Sequence, residues 1–239
     1  TEHPIIISHA SGHLGSVNDY TLKLAGIDEN TPDESGGLIG RVEGSKEPNG
    51  YLEETPFMNL KRDVFQGSDK DPEKVLDIGQ HEYIKNGITT VQDGATSGDT
   101  IELFKSFSDK FKIDVVMYPL VAENPADLEN NRDFVEQYHD RIKIGGYKMF
   151  LDGSPQGKTA WMTEPYEGEE DYRGYPIYDD EAVKGYVDAA IKADVQLLTH
   201  CNGDAASDQL IRSYKAALED SDNPNKNNLR PVMIHCQTV

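Results

Sequence analysis

Basic residues are scarce in this chain: 23 Lys and Arg stand against 43 Asp and Glu, a formal net charge of -20 over 239 residues. Phosphate backbones and anionic membranes are bound by clustered Lys and Arg, and no basic tract is present, which argues against nucleic-acid and membrane partners. Long hydrophobic runs are missing as well. No stretch reaches 18 consecutive apolar residues, and no signal-peptide pattern is present in these residues. Cysteine is nearly absent: two residues, Cys201 and Cys236, fit a reduced, cytoplasmic protein rather than a disulfide framework. No Gly-x-Ser-x-Gly elbow, Walker loop or dinucleotide fingerprint occurs in strand-turn-helix context, so serine-hydrolase, nucleotide-hydrolysing and dinucleotide chemistries fit poorly.

What the chain does have is three strand-like apolar segments in its second half, each ending in a ligand-type side chain and a turn. They are Ile144 to Ser154 with Lys148 and Asp152, Val195 to Asp204 with His200, and Val232 to Val239 with His235. Parallel α/β barrels present catalytic groups in this way, at the C-terminal ends of their strands. The flanking sequence agrees. Helical spacing is read over 72–86, 100–111, 125–138, 180–193 and 205–218, and strands over 88–92 and 113–120, so parallel β/α units are expected from about residue 71 onward. Residues 1–70 read differently. A short strand at 4–8 and a helix over 17–25 give way to Gly, Pro and Glu, which predicts an irregular, turn-rich region.

The chemistry of these residues points to a metal centre. Hydrolytic metal sites use neutral imidazoles or carboxylates as ligands and leave one position open for water. His200 and His235 end consecutive strands and are expected to stand side by side as ligands, the alternative being hydrogen-bonded structural histidines. Lys148 lies inside an apolar strand, where a charged amine is costly, so it is paired, deprotonated or chemically changed. Pairing with Asp152 or Asp204 is one expectation. Asp152 orients Lys148, holds a ligand histidine or caps its turn, and Asp204 has the same ambiguity beside a helix start. Trp161 belongs to a long aromatic segment, Ser154 to Tyr166, that either walls off the site or packs on its rim. The cysteines follow the two histidines directly, so they face away from the same axis.

The segment Lys148-Met-Phe-Leu-Asp-Gly-Ser-Pro-Gln-Gly-Lys-Thr-Ala-Trp-Met-Thr-Glu-Pro-Tyr166, with Leu198-Thr-His-Cys-Asn-Gly-Asp-Ala-Ala206 and His235-Cys-Gln237, resembles the YtcJ-like branch of the amidohydrolase superfamily, also called amidohydrolase family 3. Ser11-Gly-His13, Asn18, Ala25-Gly-Ile27, Thr31-Pro32, Gly36-Gly37, Gly50-Tyr-Leu-Glu53 and Gly87 to Gly94 follow the same family order. The resemblance implies a partial TIM-like (β/α)8 metallo-hydrolase barrel, about strands 2 to 6, over residues 71–239. It implies that 1–70 is an insertion covering the barrel mouth. The implied activity is hydrolysis of a non-peptide, amide-like carbon-nitrogen bond in a small molecule. The implied cofactor is a divalent metal, zinc foremost, held by Lys148, His200 and His235 as catalytic residues, with Lys148 carboxylated. Substrate contacts fall to His13, Asp152, Trp161, Asn202 and Asp204. The family's first-strand His-x-His pair and last-strand Asp have no counterpart here, so an internal piece of a longer enzyme, inactive alone, is expected. The competing expectation is a non-catalytic ligand- or metal-binding barrel fragment, stabilised by self-association through its open edges.

Overall fold

The computed structural model describes residues 3–33, 36–65 and 71–239. The expected border between the two regions, near residue 70, falls in 66–70, outside the described residues. The elements are β1 (Ile6–Ser8), β2 (Leu14–Val17), α1 (Asp19–Leu24), β3 (Gly37–Arg41), β4 (Pro48–Glu54) and α2 (Thr55–Phe65) in the first region. Then follow α3 (Pro72–Ile84), β5 (Thr90–Thr96), α4 (Gly98–Ser106), β6 (Asp114–Pro119), α5 (Ala126–Glu129), β7 (Ile142–Ile144), β8 (Gly146–Phe150), α6 (Asp180–Ala193), β9 (Gln196–Cys201), α7 (Asp204–Asp220) and β10 (Val232–His235).

The fold is mixed α/β. The first region is more regular than its composition predicts, since its strands form an antiparallel sheet ordered β1-β2-β4-β3 over a small core of Ile39, Leu52, Phe57 and Leu60. Gly50 permits the close crossing of β4 over β2 by taking a φ of 91°, a left-handed value that glycine adopts without strain.

The β/α region holds two three-stranded parallel sheets, β5-β6-β7 and β8-β9-β10, and neither is closed. The single strand expected through Lys148 is broken. Ile142–Ile144 pairs with β6, whereas Gly146–Phe150 pairs with β9. The break falls at Gly145 and Gly146, where Gly146 has a φ of 149° and an added Cβ would overlap the Gln196 carbonyl. The two sheets are joined by a parallel bridge between Leu120 and Lys148.

Strand alternation sorts the side chains into two faces. Val115, Met117, Tyr147, Met149, Leu197 and Cys201 are buried on the helix side with Val183, Val187, Ile191 and Leu210. Val116, Tyr118 and Leu198 pack together on the other face, with Ile234 against them. Helices α6 and α3 start where their caps are, at Asp179 and Asp71. The helix expected over 125–138 is only one turn, because the chain turns out at Asn130 and Asn131 and continues as a 3-10 turn over Arg132–Phe134. The apolar positions of α3 behave differently from a core stripe: Val75, Ile78, Tyr83 and Ile84 are all exposed, and Gln80 is its buried residue. None of the described helices is long and apolar enough to cross a membrane.

Candidate functional site

The site builds up from the register of β8, β9 and β10. Phe150 pairs with His200, and His200 with Ile234, so these three share a face, and Lys148 and Leu198 share it two residues earlier. By the same register His235 pairs with Cys201, which points to the opposite, helix-packed side. His235 nevertheless reaches the inner face, because its φ of 77° and that of Cys236, 48°, turn the backbone left-handed at the strand end. Its ring stands 4.7 Å from the His200 ring, edge-on. The histidines are thus brought together as expected, one by the pleat and the other by a backbone turn.

Lys148 is 4% exposed, and its Nζ donates to the Met149 carbonyl at 3.2 Å and lies 3.9 Å over the Phe150 ring. The expected pairing with Asp152 or Asp204 is not formed. Burial pulls the amine down to about 7, so a large fraction is uncharged near neutrality.

Asp152 is fully buried and accepts three backbone N–H groups, from Asn202 at 2.9 Å, Gly203 at 2.7 Å and Trp161 at 3.0 Å. It joins the loop after β8 to the start of α7, and its Oδ1 lies 3.6 Å from His200 Nε2. Burial raises its carboxyl above the ordinary range while these N–H groups oppose the shift. His200 Nε2 lies 2.8 Å from the Gly153 carbonyl, which only accepts, so neutral His200 donates from Nε2 and keeps its lone pair on Nδ1. Burial pulls His200 down to about 3, with the charges of Lys148, His13 and His235 adding to the effect. His235 is also lowered, by burial first and then by Lys148 and His13.

Asn202 donates to the same Gly153 carbonyl at 2.8 Å, and its buried Oδ1 has no partner among the described residues. Asp204 lies in the first turn of α7, with Gly203 as the N-cap, and fastens Thr163 by accepting from its backbone N at 2.8 Å and from its hydroxyl. Trp161 is half-buried against the main core. Asp204 and Trp161 therefore brace the long loop. His13 arrives from the N-terminal sheet, its ring 5.4 Å from that of His200 and its Nδ1 2.8 Å from Glu54 Oε2.

Glu54, on His13, and Phe150, its ring 5.1 Å from that of His200, belong to this cluster, although in a sequence a Glu after a Glu reads as solvated surface and a Phe in a strand as core. The Gly50-Tyr-Leu-Glu53 motif, which ends one residue before Glu54, was the available signal.

The donor chemistry suits a divalent cation in part. Two imidazoles whose protonation burial disfavours and a lysine without a carboxylate partner are clustered, yet among the described residues no three His, Cys, Asp or Glu side chains are grouped to hold a metal.

Known proteins share this arrangement of chain. A Bacillus subtilis (strain 168) protein named as the amidohydrolase YtcJ is 24% identical over 255 residues, an alignment that takes in 100% of this chain and 44% of that protein. The N-substituted formamide deformylase of Arthrobacter pascens is 23% identical, over 91% of this chain and 42% of that enzyme. The chain thus spans less than half the length of these relatives. In fold it is similar to an uncharacterized metal-dependent hydrolase from Pyrococcus horikoshii OT3, with a TM-score of 0.66, 21% identity, and coverage of 90% of this chain and 42% of that one. The ordered motifs of both regions, from Ser11-Gly-His13 to His235-Cys-Gln237, agree with a match to the amidohydrolase family that runs from residue 1 to residue 239, and the chain belongs to that family.

Proposed function

We propose that this chain supplies part of the centre of a metal-dependent hydrolase that cleaves an amide-like carbon-nitrogen bond in a small molecule. The observation that carries the reading is the burial of Lys148, without a carboxylate partner, in the same cluster as two imidazoles whose protonation burial disfavours. Lys148, His200 and His235 would hold the divalent metal, zinc being our choice, and such an ion supplies Lewis-acid polarisation of a carbonyl and a water acidic enough to attack near neutral pH. An amine near pKa 7 is partly in the uncharged form that adds carbon dioxide, giving a carbamate and releasing one proton, and this supports carboxylation of Lys148.

The chain's own residues do the rest. Gly153 fixes the His200 ring through its carbonyl, Asp152 holds the two loops that frame the site, and Phe150 covers the Lys148 amine against water. The parallel strands are read as staves 2 to 6 of a (β/α)8 barrel and residues 1–70 as an insertion over its mouth, in keeping with the His13 and Glu54 contacts. Amide-like substrates are favoured by the relation to an enzyme named for deformylating N-substituted formamides.

The test is metal content and hydrolysis of N-substituted formamides and cyclic amides by the whole gene product, with His200→Ala and His235→Ala beside it. Each substitution is expected to lower turnover by at least about 100-fold, the scale on which metal-assisted catalysis depends on its ligands. Turnover that survives both substitutions and a chelator would overturn the reading.

A further inference from the structure

Glu54 stands out from the rest of β4. It ends the strand with a φ of 53°, a left-handed conformation that strains a non-glycine residue, and it is buried with its side chain 2% exposed. Both ends of the residue are held. Its backbone N donates to the His13 carbonyl at 2.6 Å, Oε2 lies 2.8 Å from His13 Nδ1, and Oε1 accepts from Thr159 Oγ1 at 2.5 Å. Thr159 Oγ1 in turn accepts from Ser154 N at 2.9 Å, and Gly153 leaves the space this pair occupies, since a Cβ there would overlap both Glu54 Oε1 and Thr159 Oγ1. A strained, buried carboxylate is a poor device for stability alone.

A carboxylate only accepts hydrogen bonds, so neutral His13 carries its proton on Nδ1 and its lone pair on Nε2. Among the described residues Nε2 has no hydrogen-bond partner, and the ring lies beside that of His200. We propose that Glu54 is a positioning residue that locks His13 in the Nδ1–H tautomer and presents Nε2 as a hydrogen-bond acceptor to the substrate, selecting substrates with an N–H or O–H next to the scissile bond. The substrate half of this inference rests on the hydrolase reading above. The Glu54–His13 link does not.

Two measurements separate them. Nitrogen-15 spectra of residues 1–239 report the His13 tautomer directly. Wild type is expected to show Nδ1–H, Glu54→Leu to lose that preference, and Glu54→Gln, which keeps an acceptor oxygen, to retain part of it. On the whole gene product, kcat/KM is compared for a secondary amide and its N-alkylated tertiary analogue. Wild type is expected to prefer the secondary amide by about 10-fold or more, as a site built to accept an N–H does. Glu54→Leu should abolish the preference, and Glu54→Gln should restore part of it. In a His13→Ala background Glu54→Leu should change kcat/KM little further, because it acts through His13.

An Nε2–H tautomer in wild type, or an equal effect of Glu54→Leu with and without His13, overturns the inference. So does a fall in thermal midpoint with the tautomer unchanged, which marks Glu54 as a mere tie between sheet and loop. An Nδ1–H tautomer together with no hydrolysis of any amide sinks the hydrolase reading and the substrate half, and leaves the Glu54–His13 link standing.

Discussion

Lys148 is the residue whose environment is most at odds with its chemistry. Its pKa is about 7 when folded against an ordinary 10.5, so between these values the unfolded chain binds more protons than the folded one. Stability therefore rises with pH across that window. His200, lowered to about 3, makes its own contribution below pH 6.5 and does not interfere. Urea unfolding of residues 1–239 without added metal is expected to show a rise of a few kcal/mol between about pH 7 and 10, and Lys148→Met is expected to flatten it. A wild-type curve level across this range would mean that the amine is solvated or paired. At His235 the backbone narrows the choice of side chain. A φ of 77° at residue 235 is tolerated by His, Asn and Asp far better than by β-branched residues. Only the first of these facts was readable beforehand. A lysine in an apolar strand is visible in the sequence, whereas a left-handed turn that reverses the aim of a strand-end histidine is not.

Among the elements, those with strong local signals were legible. Helix α6 matches its expected span because Asp179 caps it and an apolar stripe of Val183, Val187, Ala190 and Ile191 faces the core. Of the antiparallel sheet of the first region only β1 was legible, since β2, β3 and β4 carry Gly, Pro or Glu and gain their order from partners as far apart as Leu14 and Glu53. The helix expected after Pro125 stops early because its sequence is polar and its end pairs instead with β7, through a bridge from Val135 to Ile144 and a bond from Glu136 N to the Ile144 carbonyl at 2.8 Å. One contact between elements is open to a sharp test. Gly203, the N-cap of α7, lies so close to Trp161 that an added Cβ would overlap the Trp161 carbonyl, a backbone atom that cannot swing aside. Gly203→Ala is expected to lower the unfolding free energy by about 1–3 kcal/mol, the usual cost of overpacking, although its φ of -83° suits alanine. An unchanged denaturation midpoint would show that the loop after β8 is held less tightly than the Asp152 bonds imply.

For the whole molecule, two exposed features set the expected behaviour in solution. Among the described residues no strand pairs with the outer edges of β5 and β10, and α3 displays Val75, Ile78 and Ile84 beside a cavity of about 600 Å³ lined by Leu76, Phe104 and Phe111. Residues 1–239 are therefore expected to self-associate at micromolar concentration, and the double substitution Val75→Glu, Ile78→Glu to weaken this by about 10-fold, read by sedimentation velocity. A monomer at every concentration would reject it. The same span is expected to take up zinc weakly, because a hydrolytic centre usually has three protein ligands and Lys148 ligates well only once carboxylated. Calorimetry showing one tight site, lost in His200→Ala, would mean that another residue completes the set, Asn202 with its orphaned Oδ1 being nearest to hand. The join between the two parallel sheets adds a mechanical consequence. Along the seam the two backbones meet at Leu120 and Lys148, where Val121 N donates to the Lys148 carbonyl at 3.0 Å, and the Tyr118 hydroxyl donates across it to Gln196 Oε1 at 2.9 Å. Breathing of one half against the other strains the backbone of the buried lysine, and the exchange rate of the Val121 amide is its gauge.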